Sequence, residues 1–153
     1  MKNTSKMLAE AIALAAEKHK DQFDKGGMPY VLHPLKVMHY LKSDDIELMC
    51  IAVLHDIVED TDVTCADLRV LGMSERVIIA VKLLTKVQGQ THEEYLDGIK
   101  SNIDAILVKL ADLRHNSDIR RLKGITEKDA ARLNKYCKMA HELKAVLIKG
   151  CFK

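Results

Sequence analysis

Ile46-Glu47-Leu48-Met49-Cys50-Ile51-Ala52-Val53-Leu54-His55-Asp56-Ile57-Val58-Glu59-Asp60 begins as an apolar helix and ends in ionisable groups. Ile46, Leu48, Ile51, Ala52 and Leu54 recur at helical spacing, and Asp44 with Glu47 reads as the capping box that opens the helix. The apolar run meets His55 and Asp56 directly, and Glu59 follows one helical turn later. That spacing places the three side chains close together on a helix surface. An adjacent His-Asp pair offers an imidazole nitrogen and a carboxylate oxygen to one cation. Mixed nitrogen and oxygen donors suit Mn, Fe, Zn or Mg better than soft metals.

The rest of the chain is helical on either side. Thr4 or Ser5 caps a first helix carrying Leu8, Ala11, Ile12, Ala15 and Ala16 and ending near His19. Asp21 to Pro29 contains Gly26-Gly27 and a proline and reads as a loop. Pro34 suits the first turn of a helix with Leu35, Met38 and Leu41. Beyond the opening stretch, Thr64 caps a short helix that stops at Gly72, and Ser74 starts one with Val77, Ala80, Val81 and Leu84 on one face. Thr91 and Glu94 form another capping box; a helix runs from about Ile103 to His115. Thr126 and Asp129 open a long last helix carrying Ala130, Leu133, Cys137, Ala140 and Leu147. The expectation is an all-α fold, compact and with short connections.

Composition narrows the function classes. There are 24 Lys+Arg against 22 Asp+Glu, a net charge of +2, without the basic excess of a nucleic-acid binder. Tryptophan is absent and aromatics are 4%, which leaves few stacking platforms for single strands. No apolar stretch is long enough to span a membrane, and the alanine-rich segment after the N-terminus is amphipathic, unlike a secretion signal. The cysteines at 50, 65, 137 and 151 lack short CxxC spacing. They read as reduced thiols in a cytoplasmic protein, with Cys50 and Cys137 in the core.

Two further places hold chemistry. The helix from Ile103 is nearly apolar, yet Lys109, Asp112 and Asn116 form one polar stripe on it. A buried carboxylate is costly unless it is paired or binds a metal. His33 lies just after the glycine loop. Each has a plainer reading: a His-Asp pair at a helix end, Asp112 paired with Lys109 or Arg114, His33 as an N-cap. His19, His39, His92, His115 and His141 are read as surface or packing residues, having no partner at ligand spacing. Together, however, His33, His55-Asp56 and Asp112 form an ordered set.

That order resembles the HD metal-dependent phosphohydrolases. Gly27-Met28-Pro29-Tyr30-Val31-Leu32-His33-Pro34, Val53-Leu54-His55-Asp56-Ile57-Val58-Glu59-Asp60-Thr61 and Val108-Lys109-Leu110-Ala111-Asp112-Leu113-Arg114-His115-Asn116 are similar to three segments of the RelA/SpoT alarmone hydrolase domain. Tyr136 to Leu143 resembles that domain's final helix. The resemblance implies a helical HD-domain fold with a metal site buried between helices, as one domain over residues 1–153 with its core at about 5–148. Over these 153 residues the expectation is of no synthetase or regulatory domain such as bifunctional members carry, and the resemblance is to the small stand-alone alarmone hydrolases.

The implied reaction removes the 3′-pyrophosphate from (p)ppGpp, giving GDP or GTP and pyrophosphate, with Mn²⁺ or another divalent metal. His33, His55, Asp56 and Asp112 match the metal ligands, and Glu59 and Asp60 the acidic pair that serves the attacking water. Lys25, Tyr30, Lys109, Arg114, Asn116 and Tyr136 are the expected substrate contacts, with Arg120 and Arg121 as further cations. Three positions depart from the family: an acid at Asp24, an arginine moved by one place to Arg114, and Ile119 where a hydroxyl residue is usual. They leave open another phosphorylated nucleotide, such as (p)ppApp or NADPH, or a non-catalytic nucleotide-binding module. The expected partner is a phosphorylated nucleotide, with no nucleic acid and no membrane, the chain being a monomer or homodimer.

Overall fold

The computed structural model describes residues 4–151. Among them the helices are α1 (Thr4–Lys18), α2 (Leu32–Leu41), α3 (Ile46–Leu54), α4 (Ile57–Asp60), α5 (Cys65–Leu71), α6 (Glu75–Leu84), α7 (His92–Lys100), α8 (Ile103–Asn116) and α9 (Glu127–Cys151). A 3-10 turn, Ile119–Arg121, joins α8 to α9. The fold is all-α; a single bridge between Phe23 and Pro29 is the extended pairing among the described residues.

The core forms around α3. Leu48 and Cys50 to Leu54 are buried there, so the helix is apolar on nearly every side and needs neighbours all round. It packs against α1, α2, α6 and α8. Ala11 and Ala15 of α1 are fully buried, small side chains that let that helix lie close. Val77, Ile78, Ala80, Val81 and Leu84 of α6 and Ala105, Ile106, Val108 and Leu113 of α8 complete the same cluster.

Local signals set most helix ends. The capping boxes at Thr64–Asp67 and Thr91–Glu94 are both formed. Thr126 and Asp129 exchange the same pair of bonds ahead of α9. Gly72 closes α5 at a left-handed φ of 96°. Three expectations shift. The α3 cap is Asp45, whose Oδ1 accepts from the amides of Glu47 and Leu48 at 3.0 and 3.2 Å, while the Glu47 side chain turns to Ser74 and Arg76. Thr4 and Ser5 fall inside α1 rather than before it. Cys137 is exposed, because α9 packs mainly against α8 and α7 through a narrow face in which Met139 and Leu143 are buried. The thiol of Cys151 lies outside the described side chains. No helix among the described residues is long and apolar enough to cross a membrane.

Candidate functional site

The site forms where α2, α3 and α8 meet. His33 stands in the first turn of α2, and Asp112 faces it from α8. His55 and Asp56 occupy the break between α3 and α4, so the stretch that reads as one helix is two, with both residues still in helical backbone geometry. Asp60 N still bonds Asp56 O at 2.9 Å, which keeps Glu59 and Asp60 one turn beyond the pair.

The side chains converge. Asp112 Oδ1 lies 3.1 Å from His33 Nε2 and 3.6 Å from His55 Nε2. Asp56 Oδ2 lies 3.0 Å from His55 Nε2 and 3.5 Å from His33 Nε2. Ligand atoms of His33, His55 and Asp112 all fall within 4.8 Å of one another, and all three residues are buried. His55 Nδ1 bonds the carbonyl of Ala52 at 2.7 Å. A carbonyl only accepts, so Nδ1 carries a proton and Nε2 is the nitrogen turned to the carboxylates. Burial opposes the charged ring, but Asp56 and Asp112 outweigh it and raise the His55 pKa, so Nε2 offers its lone pair to a cation by giving up a proton. That Nε2 is buried without a hydrogen-bond partner. An orphaned imidazole nitrogen facing two carboxylate oxygens is a donor set for a divalent cation, and these residues fit one.

Neighbouring groups hold this set in place. Tyr30 donates its hydroxyl to Asp56 Oδ2 at 2.5 Å. Lys109 Nζ pairs with Asp112 Oδ2 at 2.8 Å, and Asn116 Nδ2 donates to Asp112 Oδ1 at 2.6 Å. His33 Nδ1 lies 2.7 Å from His115 Nδ1, with the two rings stacked. Burial, then Arg121 and His33, push the His115 pKa down to about 4, so it is neutral at neutral pH and can accept from His33 Nδ1–H. This turns His33 Nε2 toward Asp112 and the cluster.

The charges follow from the packing. Burial works against the Asp112 carboxylate, but Lys109 and the two imidazoles outweigh it and hold its pKa well below the usual range. Burial likewise opposes ionisation of Asp56, and His55 and His33 outweigh it. Glu59 and Asp60 move the other way. Partial burial and the negative charge of Asp56 raise both pKa values, against the lowering effect on Glu59 of a bond from Lys86 N. Glu59 Oε2 accepts from that amide at 3.1 Å, which ties α4 to the loop after α6.

A cavity of about 210 Å³ opens beside the cluster, lined by Lys25, Tyr30, Asn116, Arg121, Arg132 and Tyr136 among others. Of the substrate contacts expected, Tyr30, Lys109 and Asn116 touch the cluster carboxylates, and Lys25 and Tyr136 line the cavity. Arg114 does not join them. It is exposed, stacks over Tyr40 with its guanidinium carbon 4.1 Å from the ring centroid, and lines a separate apolar cavity between α2, α8 and α9. The one-place displacement of the arginine carries it round α8.

Two histidines read as packing or surface residues belong to the surroundings of the site. His115 backs His33, a role for which its place beside Asn116 in the quoted segment was the available signal. His19 is 1% exposed, bonds Gln22 Oε1 through Nδ1 at 2.8 Å, and packs its ring 5.0 Å from that of Tyr30. Its Nε2 is the other buried nitrogen without a partner among the described residues.

No protein-family model matches the chain. The chain is 33% identical to the guanosine-3′,5′-bis(diphosphate) 3′-pyrophosphohydrolase MESH1 of Danio rerio, over 92% of this chain and 84% of that protein. It is 31% identical to the guanosine-3′,5′-bis(diphosphate) 3′-pyrophosphohydrolase of Haemophilus influenzae, over 90% of this chain. It spans 22% of the length of that protein, and 22% of the bifunctional (p)ppGpp synthase/hydrolase SpoT of Escherichia coli. A solved structure described as a metazoan ortholog of SpoT that hydrolyzes ppGpp and plays a role in starvation responses superposes with a TM-score of 0.75. That likeness has 26% identity and covers 90% of this chain and 84% of the other. The chain belongs to the guanosine-3′,5′-bis(diphosphate) 3′-pyrophosphohydrolase family.

Proposed function

We propose that this chain is a metal-dependent hydrolase that releases pyrophosphate from the 3′ position of (p)ppGpp, leaving GDP or GTP, with Mn²⁺ as its metal. The observation that carries this reading is the buried, unpartnered Nε2 of His55 facing the Asp56 and Asp112 carboxylates, in a chain with this family membership.

In this reading His33, His55, Asp56 and Asp112 hold the cation. A divalent cation supplies Lewis-acid polarisation of a phosphoryl oxygen and makes water more acidic. Glu59 takes the proton of the attacking water, and its raised pKa suits a group that must both accept and return a proton. Asp60 orients that water. Water oxygen bonds to the phosphorus next to the 3′ oxygen, the bond from that phosphorus to the 3′ oxygen breaks, and the 3′ oxygen takes up a proton. Tyr30 holds Asp56 by its hydroxyl, and Lys109 offsets the charge of Asp112. Lys25 meets the phosphates in the cavity, Asn116 lines its inner wall, and Tyr136 packs against base or ribose. The described free thiols of Cys50, Cys65 and Cys137 accord with a reducing, cytoplasmic setting.

The test is a product assay with ppGpp, ppApp and NADPH, each with Mn²⁺ and with excess chelator. Metal-dependent release of GDP and pyrophosphate from ppGpp is the expected result. Turnover of ppApp or NADPH alone would keep the metal centre and reassign the substrate.

A further inference from the structure

The cavity wall carries a connection that the hydrolytic reading does not use. Asp24 lies in the loop between α1 and α2, and its two carboxylate oxygens do different things. Oδ1 accepts from the amides of Gly26 and Met28, both at 2.9 Å, and so shapes the loop. Oδ2 accepts from Arg121 Nη2 at 2.9 Å, in the turn after α8. Arg121 Nη1 donates to His115 O at 3.0 Å and to Asn116 Oδ1 at 3.2 Å. With its amide oxygen engaged there, Asn116 turns its nitrogen to Asp112 Oδ1, the oxygen that faces His33. The series Asp24, Arg121, Asn116, Asp112 therefore ends on a donor atom of the candidate metal cluster.

The backbone reinforces this link. Gly26 lies so close to the carbonyl of Arg121 that a Cβ would collide with it, so the loop is seated on the turn. The Asp24 and Arg121 side chains are 11% and 21% exposed, which shields the pair from solvent screening. The pair also sets the charge offered to a ligand. Arg132 is engaged by Asp129 at 2.7 Å and Arg121 by Asp24. Lys25 is, among the described residues, the lining cation with no ion-pair partner.

We propose that Asp24 is a positioning residue: it holds Arg121 against Asn116, so that Asn116 orients Asp112, and it withholds the Arg121 charge from the substrate. This rests on the reading of the cluster as a metal centre. Partners that bond a ligand directly, as Asn116 bonds Asp112, change metal affinity or activity by about 10–100-fold when removed, and Asp24 acts on that partner through Arg121.

Asp24→Asn separates the two oxygens. Its amide oxygen still accepts from Gly26 and Met28, but its NH₂ group cannot accept from Arg121. In the whole chain, Mn²⁺ affinity measured by calorimetric titration is expected to fall about tenfold, at the lower end of that range. The kcat falls with it, while KM for a polyphosphorylated nucleotide also falls, because a guanidinium is released to bind phosphate. Arg121→Met lowers metal affinity to the same extent without the gain in KM. The double variant binds Mn²⁺ no worse than either single one, as members of one series do. Should Asp24→Asn lose cooperative unfolding, Arg121→Met reads the same link from the other side. Wild-type Mn²⁺ affinity in both single variants, or losses that add in the double variant, overturns the proposal. Wild-type protein that binds no Mn²⁺ overturns the metal reading and this proposal with it.

Discussion

Helix α8 buries two aspartates, and they are built in opposite ways. Asp104, in its first turn, is 7% exposed, and Asp112, farther along, is 3% exposed. Asp104 is closed by one partner. Arg76 Nε donates to Oδ2 at 2.8 Å and Nη2 to Oδ1 at 2.9 Å, a two-pronged fork that occupies both oxygens. The same guanidinium reaches Asp45 at the start of α3, so the pair ties α6, α8 and the α3 cap together. The helix N-terminus adds a favourable partial charge. Asp112 has no single partner. Lys109 takes one oxygen, while Asn116 and two imidazoles crowd the other, and an imidazole nitrogen is left over. A buried carboxylate whose neighbours pair it off holds a fold together. One whose neighbours converge with a spare donor is arranged for something that is not protein.

Breaking Asp112 tests this difference most severely. Asp112→Ala is expected to abolish metal retention and to cost more turnover than the roughly 10–100-fold lost with an outer-shell partner. Elemental analysis of the purified variant, with circular dichroism to show that it is folded, reads the outcome. Full metal occupancy would remove Asp112 from the centre. Asp56→Ala should behave alike.

Glu59 sharpens the contrast, because it lies, with Asp60, beside the cluster rather than in it. Glu59→Gln should keep the metal and lose turnover by about 10²–10⁴-fold. A base must be ionised to accept a proton, and burial raises the Glu59 pKa, so if Glu59 is the base the acid limb of kcat/KM should lie above the ordinary glutamate value of 4.5. The Gln variant should lack that limb; a near wild-type rate would exclude Glu59 as the base.

Breaking Asp104 should do the reverse of breaking Asp112. Asp104→Ala strands part of the Arg76 fork and is expected to destabilise the fold by about 1–3 kcal/mol, read from urea unfolding. Metal content and kcat per folded molecule should stay at wild-type values. Loss of metal in this variant would mean that α8 carries strain from one aspartate to the other.

The smallest effect belongs to a third aspartate, beyond the end of α8. Asp118 has its pKa held at about 2, chiefly by its bonds from Arg120. A carboxyl depressed on folding stabilises the protein above its unfolded value of 3.8, and that contribution is lost as pH falls through about 2. Asp118→Asn should therefore unfold at nearly wild-type denaturant concentration below pH 2 and slightly earlier than wild type at neutral pH. An equal difference at both pH values would show that the effect is the lost cap rather than the charge.

Much of this was open to reading along the chain. Apolar spacing located the helix from Ile46, and short-range caps at Thr64, Ser74, Thr91 and Thr126 placed helix starts, because the partners lie within one turn. The expected cap at Asp44 is replaced by its neighbour Asp45, a residue equally able to cap, which Arg76 holds from outside the segment. Cys137 was misplaced because α9 is polar on most of its surface, and a weak stripe does not say which neighbours it meets. His115 and Arg121 were legible as residues but not as partners of His33 and Asp24.

Local composition and spacing thus established that the chain is helical, where most of the later helices start and which ionisable residues sit at apolar helix ends. Those properties depend on contacts within a few residues. Packing alone established that His33 meets Asp112, that Asp104 and Asp112 have different partners, that Arg114 lies away from the cluster and that Asp24 reaches Arg121. Each joins residues from different helices or loops. Side-chain direction about a helix and the closing of a loop onto a turn are set by which surfaces bury each other.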